Sequence, residues 1–167
     1  MTEPAPTPEE EARARERLEE TAAAIVAGVE ARVPGWVQAQ VARLLDAWGR
    51  AGAEARAEAE AQAVEEGEAA ARRVADALRR LFATDPGQQR ATPLEIVRDA
   101  YREPTRVLAK AGVPPVVRDE FDERSWPDDV YALVPRTLGD LGDPELGPLH
   151  LAWGMAKATV IRARRRT

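Results

Sequence analysis

The chain has 167 residues, about a third of them charged, with a formal net charge of −5 at neutral pH. That length is enough for one ordinary domain or two small ones, and no apolar run approaches the roughly eighteen residues of a membrane span. Cys and Asn are absent and His and Ser occur once each, which removes disulfides, thiolate nucleophiles, sulfur-ligated metals and most catalytic constellations.

Residues 1–7 read as a disordered, Pro-rich tail, acidic in its continuation and without the apolar core of a signal peptide, so a cytoplasmic location is expected. Thr7, Pro8 and Glu10 then form a helix start of the capping-box type. Leu18, Ala22, Ile25, Val29 and Val33 follow at helical spacing. Pro34 and Gly35 are expected to end that helix. A second stripe, Val37, Val41, Leu44 and Trp48, runs up to Gly49 and Gly52. Two arrangements fit there: a turn that makes a helical hairpin, or one helix over 36–83, a rod of roughly 70 Å at 1.5 Å per residue.

Residues 53–82 are mostly Ala, Glu and Arg, with no Pro. Ala alternates with charge at first, the period of a half-buried strand, but these are the strongest helix formers and the β-branched residues of a strand are missing. The expected inward seam is Ala57, Ala61, Val64, Ala71, Ala75, Leu78 and Phe82. A stripe of Ala buries little apolar area, so the first half of this helix should be held weakly and the second half well. Close approach of a partner backbone is one reason to keep Ala there; an Ala- and Arg-rich coding bias on a solvated helix is the other. Residues 8–83 thus read as a helical arm that self-associates through its Ala seam.

Residues 84–91 read as a linker, with Asp85-Pro86-Gly87 as a helix stop, and 92–167 as a compact helical bundle. Thr92-Pro93-Leu94-Glu95 is a second capping box. Leu94, Val97, Tyr101, Leu108 and Ala111 share a face that keeps its phase across Pro104, which predicts a kink rather than a reversal, with Gly112 as the C-terminal cap. Short helices are expected over about 115–124, with Val117 and Phe121 inward, and from a cap at Ser125. Residues 136–147 read as loop with a turn of helix. The final helix, from about Pro148 to Arg164, is apolar on most sides and is expected at the centre of the bundle.

No Gly-rich phosphate loop, dinucleotide fingerprint or Glu-x-x-His pair is present, so no cofactor, metal or catalytic residue is assigned. What remains are candidate partner-binding residues. Asp119, Glu120, Asp122, Glu123, Asp128 and Asp129 crowd an acidic stretch of net −4 over 118–129, which matches no EF-hand loop and suits a solvated surface or a basic partner. His150 and Lys157 share a face across Gly154, either a small notch for a ligand or partner or the polar edge of a buried helix, with Trp153 placed on another face, in the core. Residues 149–167 carry five bases and no acid, against 19 bases and 29 acids in 1–148. Arg162, Arg164, Arg165 and Arg166 there can touch phosphates or simply complement the helix dipole. The expected fold is all-α, an extended helical hairpin or coiled-coil-like arm plus a compact C-terminal bundle. The expected function is a non-enzymatic interaction or assembly protein, forming homo-oligomers through the arm. A nucleic-acid-associated regulator using the Arg-rich end is the alternative, and a small-molecule binder or enzyme in the bundle the third reading.

Overall fold

The computed structural model describes residues 4–48, 51–113 and 134–165. The helices and caps expected between 115 and 133, and the acidic stretch among them, lie outside the described residues, as does Arg166. Among the described residues all regular structure is helical: α1 (Pro8–Trp48), α2 (Ala53–Ala83), α3 (Pro93–Arg98), α4 (Glu103–Lys110) and α5 (Leu146–Arg164), with short 3-10 turns at Asp99–Arg102 and Leu138–Leu141. A long N-terminal helical arm carries the remainder, and the C-terminal helix packs against it.

Pro34 does not end the first helix. α1 runs through it from Pro8 to Trp48 with Pro34 inside. An interior Pro costs about 3 kcal/mol or more. Beyond it, however, Trp36, Val37, Val41, Leu44 and Leu45 are all buried in the same phase as Ile25, Val29 and Val33. Five such side chains contribute on the order of 10 kcal/mol at 1.5–3 kcal/mol each. Burial wins, and the helix continues.

The hairpin, not the rod, is the arrangement of α1 and α2. Gly52 stands in extended conformation as the N-cap of α2, and α2 returns antiparallel along α1. Near the tip Arg56 pairs with Asp46 and Glu60, and the contact with Asp46 holds the guanidinium pKa above its usual value.

The buried seam of α2 departs from the expected one. Ala71, Ala75 and Leu78 are buried and Phe82 partly so, but in the first half the inward residues are Ala59, Ala63, Gly67 and Ala70. Ala57 and Ala61 face solvent, and Val64 is 46% exposed. The reason is the crossing at Gly67. A Cβ placed there would sit 3.1 Å from the Pro34 carbonyl oxygen and 3.2 Å from its Cα. Two backbones meet at that point, so Gly67 must face inward, and the helical phase then turns Ala57, Ala61 and Val64 outward.

From Thr92 the chain folds back over the hairpin. Thr92 and Glu95 make the expected capping box. Before Pro104 the helix tightens into the 3-10 turn, and Pro104 falls in the first turn of α4, where its missing N–H costs least. Gly112, at φ +76°, closes α4 in a Schellman motif: Val113 N–H donates to the Leu108 carbonyl and Gly112 N–H to that of Ala109. Glu103 is buried and takes Arg73 and Arg106 on one carboxylate oxygen at 2.7 and 3.0 Å. Lys110 donates to Glu66, whose carboxyl is held below its usual range by that hydrogen bond. These pairs strap α4 onto α2.

The 3-10 turn at Leu138–Leu141, held by a capping box between Thr137 and Asp140, pushes Leu138 and Leu141 into the same core. A single hydrophobic cluster therefore extends from Ala22 to Trp153, with residues of both stretches flanking the linker in it. Leu78, Ile25, Val29, Val41 and Leu44, which as a bare hairpin would call for a second copy to cover them, are all covered within one chain.

Two glycines test the crossing. Gly35→Ala, where nothing lies within 4 Å of the added carbon, should stabilise by about 0.5–1 kcal/mol through helix propensity. Gly67→Ala, opposed by backbone, should lose at least that amount despite the same propensity gain. Urea unfolding of both variants measures the difference, and equal stabilisation would show that the crossing is not tight.

Candidate functional site

α5 lies along the N-terminal half of α1, antiparallel to it. Its Leu146 side chain fills the space over Gly28, 2.5 Å from where a Cβ would stand, and its far end borders Arg13 and Ala14. The inner face repeats at three- and four-residue steps, Leu146, Leu149, Trp153, Ala156, Val160 and Ala163, every one buried or nearly so. That is the expected core face. The helix is not central, because only this one face is covered.

His150 and Lys157 flank Trp153 rather than avoid it. The imidazole stacks on the indole at 6.1 Å between centroids, and the Lys157 ammonium sits 5.1 Å above the ring. Both share the edge of the inner face with Trp153, contrary to the separate faces expected, because residues at i, i+3 and i+7 fall on one side of a helix. Burial pushes the His150 pKa below its ordinary value and lowers that of Lys157.

Beyond Trp153 the Phe82 ring approaches at 5.6 Å, tilted by 58°. Together with Leu18, Ala22 and the loop 84–89 they line a cleft of about 350 Å³. The loop is tied down: Asp85 takes Arg164, which holds its carboxyl below the usual range, and Gln89 Nε2 donates to the carbonyls of Leu81 and Thr84. Trp153 Nε1 and Gln89 Oε1, on two residues that line the cleft, are inaccessible to solvent and find no hydrogen-bond partner. The cleft offers an aromatic wall of Phe82 and Trp153 and a rim of Arg15, Glu19, Thr84 and Asp85.

Of the Arg cluster, Arg164 is engaged with Asp85, while Arg162 borders a groove lined by Pro4, Ala5, Pro6 and the first turns of α1. Arg162 and Arg165 continue the outer face of α5. Among the described residues no three His, Asp or Glu side chains gather as a metal-holding group, and no helix is long and apolar enough to cross a membrane.

The outer face of α5 holds what sequence reasoning missed. Leu151 and Met155, one turn apart, are 67% and 66% exposed, and with Ala158, Arg162 and Arg165 they form a second stripe at three- and four-residue steps. Gly154 stands beside them, with nothing within 4 Å of where its Cβ would be. The signal was legible as two stripes, since a helix apolar on most sides has a face to spare when its neighbours pack against one side only.

The chain matches no protein-family model, no curated protein and no solved structure.

The burial of His150 sets a pH dependence. Its folded pKa lies below the unfolded value of about 6.5, so the folded state binds fewer protons as pH falls through 6.5. Stability should be fully present above that pH and decline below it, before the carboxylates titrate. His150→Gln should flatten the change between pH 7 and 5 in urea midpoints; an unchanged slope would mean that His150 does not carry it.

Proposed function

We propose that the protein is a non-enzymatic helical interaction or assembly protein, and that the outer face of α5 is the surface by which it binds another protein. One observation carries this reading: Leu151 and Met155 stand side by side in solvent on a helix whose opposite face is fully used. Adjacent exposed apolar side chains of this size, framed by polar residues, mark interaction surfaces. The face continues into Arg162 and Arg165 and is bordered by Arg13 and Arg17 of α1, and α5 contains no acid. Acidic, apolar-striped helices are the complementary partners.

The nucleic-acid alternative relies on the Arg-rich end of the same helix. There Arg164 already holds Asp85, and the bulk of the chain is strongly acidic. A basic patch without interleaved aromatics supplies only salt-sensitive, non-specific affinity.

A labelled helical peptide with a Leu stripe and Glu flanks distinguishes these readings by fluorescence anisotropy at physiological salt. The wild type should bind it at least tenfold more tightly than the same peptide with Lys flanks. A Leu151→Gln, Met155→Gln double variant should lose that binding with a stability change within about 0.5 kcal/mol, as expected for exposed positions. Equal affinity in the double variant would remove α5 as the surface. Tighter binding to random duplex DNA than to the peptide would favour the nucleic-acid alternative.

A further inference from the structure

The described residues leave three large apolar side chains exposed: Leu151 and Met155 on α5, and Val64 on α2. The two surfaces are complementary. On α2, Val64 lies in line with the exposed Ala57 and Ala61, a shallow stripe flanked by Glu54, Glu58, Glu60 and Glu65 and ending at Glu68. Arg56, the basic residue of that segment, is already committed to Asp46 and Glu60. On α5, two large knobs stand beside Gly154 and Ala158 and run into Arg162 and Arg165, with no acid in the helix. One surface is acidic and flat, the other basic and knobbed.

Resting on the interaction reading above, we propose that the partner is a second copy of this chain, bound head to tail. The outer stripe of α5 in one copy docks on the outer Ala57–Ala61–Val64 stripe of α2 in the next. Small residues on both helices permit the close approach that Leu151 and Met155 need to fill the Ala surface. Gly154 has its reason here, since a Gly in a helix interior is unfavourable and nothing lies within 4 Å of where its Cβ would be. Like-to-like pairing of two α5 helices gains no charge complementarity, because the helix contributes no acid to its own partner.

The two stripes cannot meet within one molecule. Gly67 lies against Pro34 and Arg56 pairs with Asp46, which sets the α2 stripe beside the C-terminal half of α1, whereas Met155 borders Arg13 and Arg17 near its start. The separation is about 25 residues of α1, roughly 37 Å at 1.5 Å per residue. A contact between two different patches is heterologous, so it closes into a ring or extends as an open chain. One helix pair buries less than a standard interface of about 1,600 Å², so the association is weak and salt-sensitive.

Sedimentation of the full chain from 10 to about 500 µM tests this. The wild type should show a mass that rises with concentration, less so at 1 M salt. Met155→Glu and Val64→Glu should each weaken association at least tenfold while keeping the helical circular dichroism of the wild type. Mixed together, these two variants should form a 1:1 dimer and stop there, because each retains one intact stripe; this separates head-to-tail docking from symmetric pairing. Gly154→Ala should raise the thermal midpoint and weaken association. A wild type that stays monomeric throughout overturns the proposal, as does association that survives Val64→Glu unchanged. If the monomeric wild type still binds the Glu-flanked peptide through Met155, the interaction surface stands and only its assignment to a second copy falls.

Discussion

The close crossing of two backbones at Gly67 and Pro34 sets the rest of the structure. With a Cβ at residue 67 only 3.1 Å from a carbonyl oxygen, α2 has no freedom to rotate about its axis at that point. Ala59, Ala63 and Ala70 are thereby turned toward α1, and Ala57, Ala61 and Val64 away from it. Dispersion contacts between closely apposed backbones replace the large side chains this seam lacks. The seam grows larger residues, Val74, Leu78 and Leu81, as the helices approach the base of the arm, where α4 and α5 contribute to the core.

α1 is the shared element of the fold. α2 lies along it from the tip back to about Leu18, α5 along its first half, and α4 and the Leu138–Leu141 turn also pack against it. Among the described residues no second layer covers α5, and Leu151 and Met155 on its outer face meet solvent. Its composition suits that position at one end only. Arg162, Arg164 and Arg165 complement the negative end of the helix dipole. Leu151 and Met155 have no such local reason, and that asymmetry singles out the face as a place for a partner.

Charge is divided along the same lines. Glu54, Glu58, Glu65 and Glu68 of α2 are exposed, as are Arg162 and Arg165 at the end of α5. Where charge enters the interior it is fully engaged: Glu103, nearly inaccessible, shares one oxygen between Arg73 and Arg106, whose own side chains remain half in water. Removing that carboxylate would release two solvated cations rather than strand a buried one, so the strap fixes where α4 sits more than it determines stability.

Local chemistry was enough to foresee the all-α class, the capping boxes at Thr7 and Thr92, the Gly112 cap and the stripe from Ile25 to Leu44, because each depends on residues within a turn or two of one another. Even the continuity of α1 was latent in that stripe, which keeps its phase across Pro34 as the later one does across Pro104. The phase of α2 was not readable in this way. A segment alternating Ala and Glu offers several equivalent Ala stripes of similar area, and only the encounter of Gly67 with Pro34, 33 residues away in the chain, chooses among them. The same holds for α5: its sequence supplies two apolar stripes, and packing against α1, with Phe82 and the Leu138–Leu141 turn at its flank, decided which became core and which was left to solvent.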